Sequence, residues 1–97
     1  MRAVFSAGAH RDVKDILEYY SKEAGPEIAA DFHSELNVAV RRIKRMPKSF
    51  PLIHGELRRA IMERFPYQVV FKIQSADLIR ILVVRHHKRH QDFGLGR

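Results

Sequence analysis

Five side chains in the second half of the chain are of the types that work on a phosphodiester: Arg58, Arg64, His86, His87 and Arg89. Cleaving RNA through its own 2′-hydroxyl needs a base, an acid for the leaving oxygen, and cations for the charge that builds on phosphorus. His86 or His87 can serve as acid or base, Glu56 or Glu63 is an alternative base, and the three arginines can hold phosphate. Any basic protein can assemble such a set, so its residue types alone are weakly specific. The histidines at 86, 87 and 90 do not read as a metal site. No carboxylate stands beside them, and His86 and His90 would share a face only on a helix. No metal or cofactor is expected. A second basic run, Arg41, Arg42, Lys44, Arg45 and Lys48, falls where a helix should end. Cations there stabilise the helix dipole and need no ligand.

The chain that carries these groups has 97 residues and no cysteine. That length suits one hydrophobic core, hence a single domain over 1–97, and rules out disulfides, thiolate metal sites and a cysteine nucleophile. No apolar run approaches the ~20 residues of a membrane span, and Met1-Arg2 leads into a strand-like segment rather than a signal peptide. A reducing cytoplasm and no membrane partner are expected. The net charge is +7 and uneven: residues 1–50 hold nine bases and seven acids, residues 51–97 nine bases and four acids. A basic C-terminal half calls for an anionic partner, such as nucleic acid or an acidic protein segment.

Periodicity defines the elements. Arg2 to Phe5 reads as a short strand, with Ser6 placed to cap the next element. From about Ala9, the positions Val13, Ile16, Leu17, Tyr20 and Ala24 form one helical stripe. Gly25-Pro26 ends that helix and starts another, which carries Ala29, Phe32, Leu36, Ala39 or Val40, Ile43 and Met46 and stops at Pro47. So tight a break folds the two helices into an antiparallel hairpin. Residues 47–56 have loop composition. Leu57–Glu63 is a strand candidate, residues 67–73 alternate cleanly, and Leu78–Arg85 is apolar on both faces like a central strand. Phe65-Pro66-Tyr67 reads as a tight turn with aromatic flanks, and Tyr19-Tyr20 as helix packing. The order β-α-α-β-β-β makes an α+β fold: a helix hairpin on one face of a small, mostly antiparallel sheet.

One hairpin covers one sheet face. With Tyr67, Val69, Phe71 and Ile73 turned toward the helices, Gln68, Val70 and Lys72 point away. On the last strand Ile79, Ile81 and Val83 are expected inward, and Arg80, Leu82, Val84 and His86 outward. On the preceding strand the outward set is either Arg58, Ala60, Met62 and Arg64 or its alternate. Such a face, apolar in patches and studded with cations, needs a cover. Either the tail folds back over it or a partner segment lies there.

The residues also carry a resemblance. Ala9-x-x-Asp12-Val13-x-x-Ile16 with Tyr19-Tyr20, then Gly25-Pro26-Glu27, then Phe32 open the pattern. Arg58 in Leu57-Arg58-Arg59, Phe65-Pro66-Tyr67 with Val70-Phe71, and Val84-x-His86-His87-Lys88-Arg89 complete it. In order and spacing, over nearly the whole chain, this resembles the RelE/ParE superfamily of bacterial type II toxins, in its ParE (plasmid-stabilisation) branch. The family pattern continues after its basic pair with Asp-Pro and a Trp, where this chain has His90-Gln91-Asp92-Phe93.

The resemblance implies a growth-inhibiting toxin neutralised by a small antitoxin that wraps it in a hetero-oligomer. It also implies one of two targets. RelE-like members cut mRNA on the ribosome with basic residues and often a C-terminal Tyr or His, which here would be Arg58, Arg64, His86, His87 and Arg89. ParE-like members lack that set and inhibit DNA gyrase. No tyrosine comes after Tyr67, which favours the non-catalytic, gyrase-directed reading, with Lys88 and Arg89 as target contacts. A degenerate, non-toxic binding module is the third reading. Under the antitoxin reading, an acidic and partly helical segment buries Val70, Leu82 and Val84 and pairs with Arg58, Lys72 or Arg80.

Overall fold

The computed structural model describes residues 1–87. Strand β1 (Arg2–Phe5) leads into helices α1 (Ala7–Glu23) and α2 (Pro26–Arg45), then a 3-10 turn at Pro47–Ser49. Four strands come next: β2 (Leu52–His54), β3 (Leu57–Ile61), β4 (Tyr67–Ser75) and β5 (Leu78–His86). They make one sheet in the order β1-β5-β4-β3-β2. β1 runs parallel to β5, and every other pairing is antiparallel. The α+β fold expected from the sequence is the fold observed, with one strand added. β2 occupies the segment read as loop, because three residues between Pro51 and Gly55 are too few to show a period. Gly55, at φ +55°, turns β2 back onto β3 in a left-handed conformation that glycine adopts without cost. β3 ends at Ile61, two residues before the expected Glu63.

Both helix boundaries have a local cause. The Ala9 backbone N–H donates to Ser6 Oγ at 3.1 Å, which satisfies one of the donors a helix start leaves open. At the other end of α1 the Ala24 N–H donates to the Tyr20 carbonyl, and Gly25 takes φ +97°. Pro26 then opens α2, where its missing N–H costs nothing. Arg42, Lys44 and Arg45 lie in the last turn of α2 and complement its dipole.

The helical stripes bury Ile16 on α1 and Ala29, Phe32, Leu36, Ala39 and Ile43 on α2. Against them the sheet presents Ala60, Met62, Val69, Phe71, Ile79, Ile81 and Val84. Each of the larger of these side chains contributes ~1.5–3 kcal/mol by leaving water. One end of the core is aromatic: Phe32 lies 5.5 Å from the Phe65 ring and 5.4 Å from Tyr67, and Tyr20 lies 5.4 Å from Phe65. Those contacts account for Tyr20 and for the flanks of Pro66 as packing.

The last strand departs from the expected phase. Val70 pairs with Val83, but the next residue of β4, Phe71, pairs with Ile81, so Leu82 is an extra residue on β5. Such a bulge sends each later residue to the opposite face. Ile79 and Ile81 point to the helices as expected. Val84 then joins them in the core at 2% exposure, and Val83 is not part of it. The expected pair, Val83 inward and Val84 outward, is therefore reversed. His86 turns inward too, with its ring 5.6 Å from that of Tyr67. The bulge frees backbone groups, and the start of α1 takes them up. Ser6 Oγ donates to the Leu82 carbonyl at 3.2 Å, and the Val84 N–H donates to Asp12 Oδ2 at 3.0 Å.

Candidate functional site

The sheet face away from the helices is laid out by the pairing. Arg59 and Ile61 come from β3, Gln68, Val70 and Lys72 from β4, and Arg80, Val83 and Arg85 from β5. Val4 of β1 stands beside Arg80. Alternation fixes this set, since the residues between them fill the core. Lys72 and Arg80 are direct partners across two strands, and like charges so placed repel. Glu56, 3.7 Å from Lys72, is the one carboxylate that the described residues pair with a cation on this face. The result is a surface with apolar patches between excess positive charges.

Of the residues expected to hold an antitoxin, Lys72, Arg80 and Val70 lie on this face, and Leu82 sits half-buried at the bulge. Val70 forms the floor, only 1% exposed. Two expectations are corrected. Val84 belongs to the core, because the bulge at Leu82 inverts its side. Arg58 pairs with Phe71 and so lies on the helix side, where its guanidinium donates to the Phe50 carbonyl at 2.7 Å. The outward cation of β3 is its neighbour Arg59.

Of the residues suited to RNA cleavage, His86 and His87 stand side by side, whereas Arg58 and Arg64 turn to other partners. Arg58 and His86 pair with positions four apart on β4, a separation of about 13 Å at ~3.3 Å per residue. Arg64 is exposed and lies 3.7 Å from Asp31 and 3.6 Å from Glu35 of α2. His87 stacks on His86 at 6.0 Å and donates its backbone N–H to the Pro66 carbonyl. Arg89, like Lys88 and the rest of the tail that could cover the open face, lies outside the described residues. Among the described residues no three histidine or acidic side chains gather as a metal site would require, and no helix is long and apolar enough to cross a membrane.

The face also holds a polar cluster that the sequence does not announce. Gln68 is 2% and Arg85 7% exposed, and they are direct partners across β4 and β5. With its amide oxygen toward Arg85, Gln68 accepts from Nε at 2.8 Å and from Nη2 at 3.1 Å. In the opposite orientation the oxygen meets Arg59 Nη1 at 3.4 Å. The first arrangement has two shorter bonds and is the better one. Either way one amide oxygen stands between two guanidinium groups, and Arg59 Nε is buried without a hydrogen-bond acceptor. Gln68 is one of two glutamines in β4, and nothing in the sequence marks it as the enclosed one.

A helix hairpin laid over one face of a mostly antiparallel sheet is the architecture of small toxin domains of the RelE/ParE type. The family model described as "ParE toxin of type II toxin-antitoxin system, parDE" matches residues 3–91, and the chain belongs to that family. Among solved structures, a chain of the "Chromosomal ParDE TA system from P. aeruginosa" superposes with a TM-score of 0.78 at 21% identity. The match covers 89% of this chain and 95% of that one. No curated protein matches by sequence.

Proposed function

We propose that this ParE-family toxin inhibits growth by poisoning DNA gyrase in the cytoplasm without catalysing a reaction, and that a cognate antitoxin silences it. The observation that carries the antitoxin half is the face opposite the helices, where Lys72, Arg80, Arg59 and Arg85 stand among Val4, Ile61 and Val83. An acidic, partly apolar segment complements that pattern, and charge complementarity sets its approach and register. The gyrase half draws support from the family and from the scatter of Arg58, Arg64, His86 and His87. Arg58 is engaged with the Phe50 carbonyl and Arg64 with Asp31 and Glu35, rather than with the histidine pair.

The direct test is a supercoiling assay. Purified toxin should block gyrase from supercoiling relaxed plasmid, and addition of a cognate antitoxin should restore activity. Supercoiling that proceeds normally at toxin excess refutes the gyrase reading. New RNA 5′ ends in a translating extract would replace it with ribosome-dependent mRNA cleavage, and growth unaffected by expression without antitoxin would leave a non-toxic binding module.

A further inference from the structure

From Leu36 to Gly55 the chain has no acidic residue and carries Arg41, Arg42, Lys44, Arg45 and Lys48. All five cations are exposed, and among the described residues no carboxylate pairs with any of them. Four of them surround Ile43, which is fully buried at the end of α2. Successive helical residues turn by about 100°. Arg41 and Arg45 therefore stand opposite Ile43, with Arg42 and Lys44 on either flank, and the whole outward side of the last turn is cationic. The helix dipole explains only part of this, since it presents about half an elementary charge. Beside the patch the chain turns at Pro47–Ser49 and leaves a shallow cavity of about 350 Å³, lined by Arg42, Arg45, Met46, Ser49 and Phe50. The Arg42 guanidinium lies over the Phe50 ring, 5.5 Å from its centre. Arg58 ties the turn to β3, donating to the Phe50 carbonyl at 2.7 Å and the Lys48 carbonyl at 3.4 Å. A stacked, planar guanidinium loses little freedom when an anion arrives.

We infer that the end of α2 and the turn after it form a contact site for the phosphate backbone of duplex DNA. Arg42 and Arg45 hold a phosphate at the cavity, and Arg41, Lys44 and Lys48 attract its neighbours. Charge density decides the partner. Arg41 to Arg45 span about 6 Å of helix rise. Duplex DNA sets one negative charge per ~1.7 Å of its axis, hence about three or four over that distance. An acidic strand rises ~3.3 Å per residue and turns alternate side chains away, so it brings about one carboxylate. The open sheet face differs, because its cations are interspersed with Val4, Ile61 and Val83 and suit a protein segment. Backbone contacts carry no base information, so the α2 site binds without sequence preference.

The test is fluorescence anisotropy of a short labelled DNA duplex titrated with the full-length toxin over a range of salt. With four or five cations engaged, affinity should fall roughly 150- to 500-fold between 50 and 200 mM salt. Arg42→Gln with Arg45→Gln should weaken binding about tenfold and lower the salt slope by about 2. Arg41→Gln with Lys44→Gln alters exposed positions outside the cavity and should do the same with folding intact. Lys72→Gln with Arg80→Gln, on the open sheet face, should leave affinity and slope at parent values. Absence of duplex binding overturns the site, and so do parent values in both α2 variants. An equal loss in the sheet-face variant also overturns it, because the attraction would then follow net charge alone. Loss confined to Lys88→Gln with Arg89→Gln moves the contact to the tail. Displacement of the duplex by polyglutamate at equal charge replaces DNA with an acidic protein, and tighter binding of an RNA duplex replaces it with RNA.

Gyrase takes no part in this measurement. A toxin that blocks supercoiling but binds no duplex loses this site and keeps its target. One that binds duplex and leaves supercoiling untouched keeps the site and loses the gyrase reading.

Discussion

Asp12 Oδ2 accepts the backbone N–H of Val84 at 3.0 Å, joining the second turn of the first helix to a strand 72 residues further on. The bond exists because Leu82 is one residue too many for its strand. Its neighbour Ser6 divides its hydroxyl between the same bulge and the helix start. One short stretch of chain thus caps a helix and completes a broken ladder.

Replacing Asp12 with Ala leaves the Val84 N–H without this acceptor in a half-buried setting. Stability should fall by about 1–3 kcal/mol. Asp12→Asn retains a side-chain oxygen and should lose less. Urea unfolding with an unchanged m-value is the measurement, and an Asp12→Ala protein as stable as the parent would mean the bulge is satisfied otherwise.

The bulge makes adjacent valines unequal. Val84→Thr puts a hydroxyl into the core and should cost ~1–3 kcal/mol. Val83→Thr changes the opposite, half-buried face and should stay near ~0.5 kcal/mol. An unbulged strand would reverse that order, so thermal midpoints of the two variants decide the phase directly.

Arg58 ties β3 to the 3-10 turn through the Phe50 carbonyl. Arg58→Ala should lower stability by about 1 kcal/mol and speed amide exchange over residues 48–50. Toxicity that disappears while stability and exchange stay at parent values would instead give Arg58 a functional contact.

Arg64 gives the contrasting case. Its two ion pairs to Asp31 and Glu35 are long and its side chain is 61% exposed. Such pairs contribute ~0–1 kcal/mol and weaken with salt. Arg64→Ala should therefore shift the urea midpoint little, and less still in high salt. A large loss would require a buried role that the structure does not give it.

Lys72 and Arg80 face each other across β4 and β5. Reversing both charges, Lys72→Glu with Arg80→Glu, should slow antitoxin association and remove most of its salt dependence, while dissociation changes less. Stopped-flow association at two salt concentrations reads this. An unchanged rate would take the acidic segment off this face.

Much of this architecture is legible in the chain because its signals are local. The helical stripes, the Gly25-Pro26 break, and the alternation from Tyr67 to Ile73 each depend on residues within one element. The phase of β5 is not local. Leu78–Arg85 is apolar at most positions, so an inserted residue breaks no visible pattern, and only pairing with β4 reveals it. β2 is too short to have a period. Arg58 and Arg59 are the same residue type, and what separates them is which neighbours are buried. Ala60 and Met62 face the core, which puts Arg59 outside. Gln68 and Arg85 are hidden for a related reason, since a polar side chain in a strand reads as solvent-facing until a sheet encloses it.

The parallel pairing of the first strand with the last has a consequence for synthesis. Among the described strands β1 pairs with β5 alone, so the strand before the helix hairpin waits for a strand made more than 70 residues later. The helix hairpin can form early from its own contacts, but its apolar stripe lacks the Ile79, Ile81 and Val84 part of its floor until β5 has emerged. A fold closed by such distant contacts assembles late and slowly. Any truncated product that ends before β5 lacks a core strand and, with Arg80 and Arg85, half of the cations on the open face. The pairing of Lys72 with Arg80 that gives the open face its charge therefore exists only once β5 is in place.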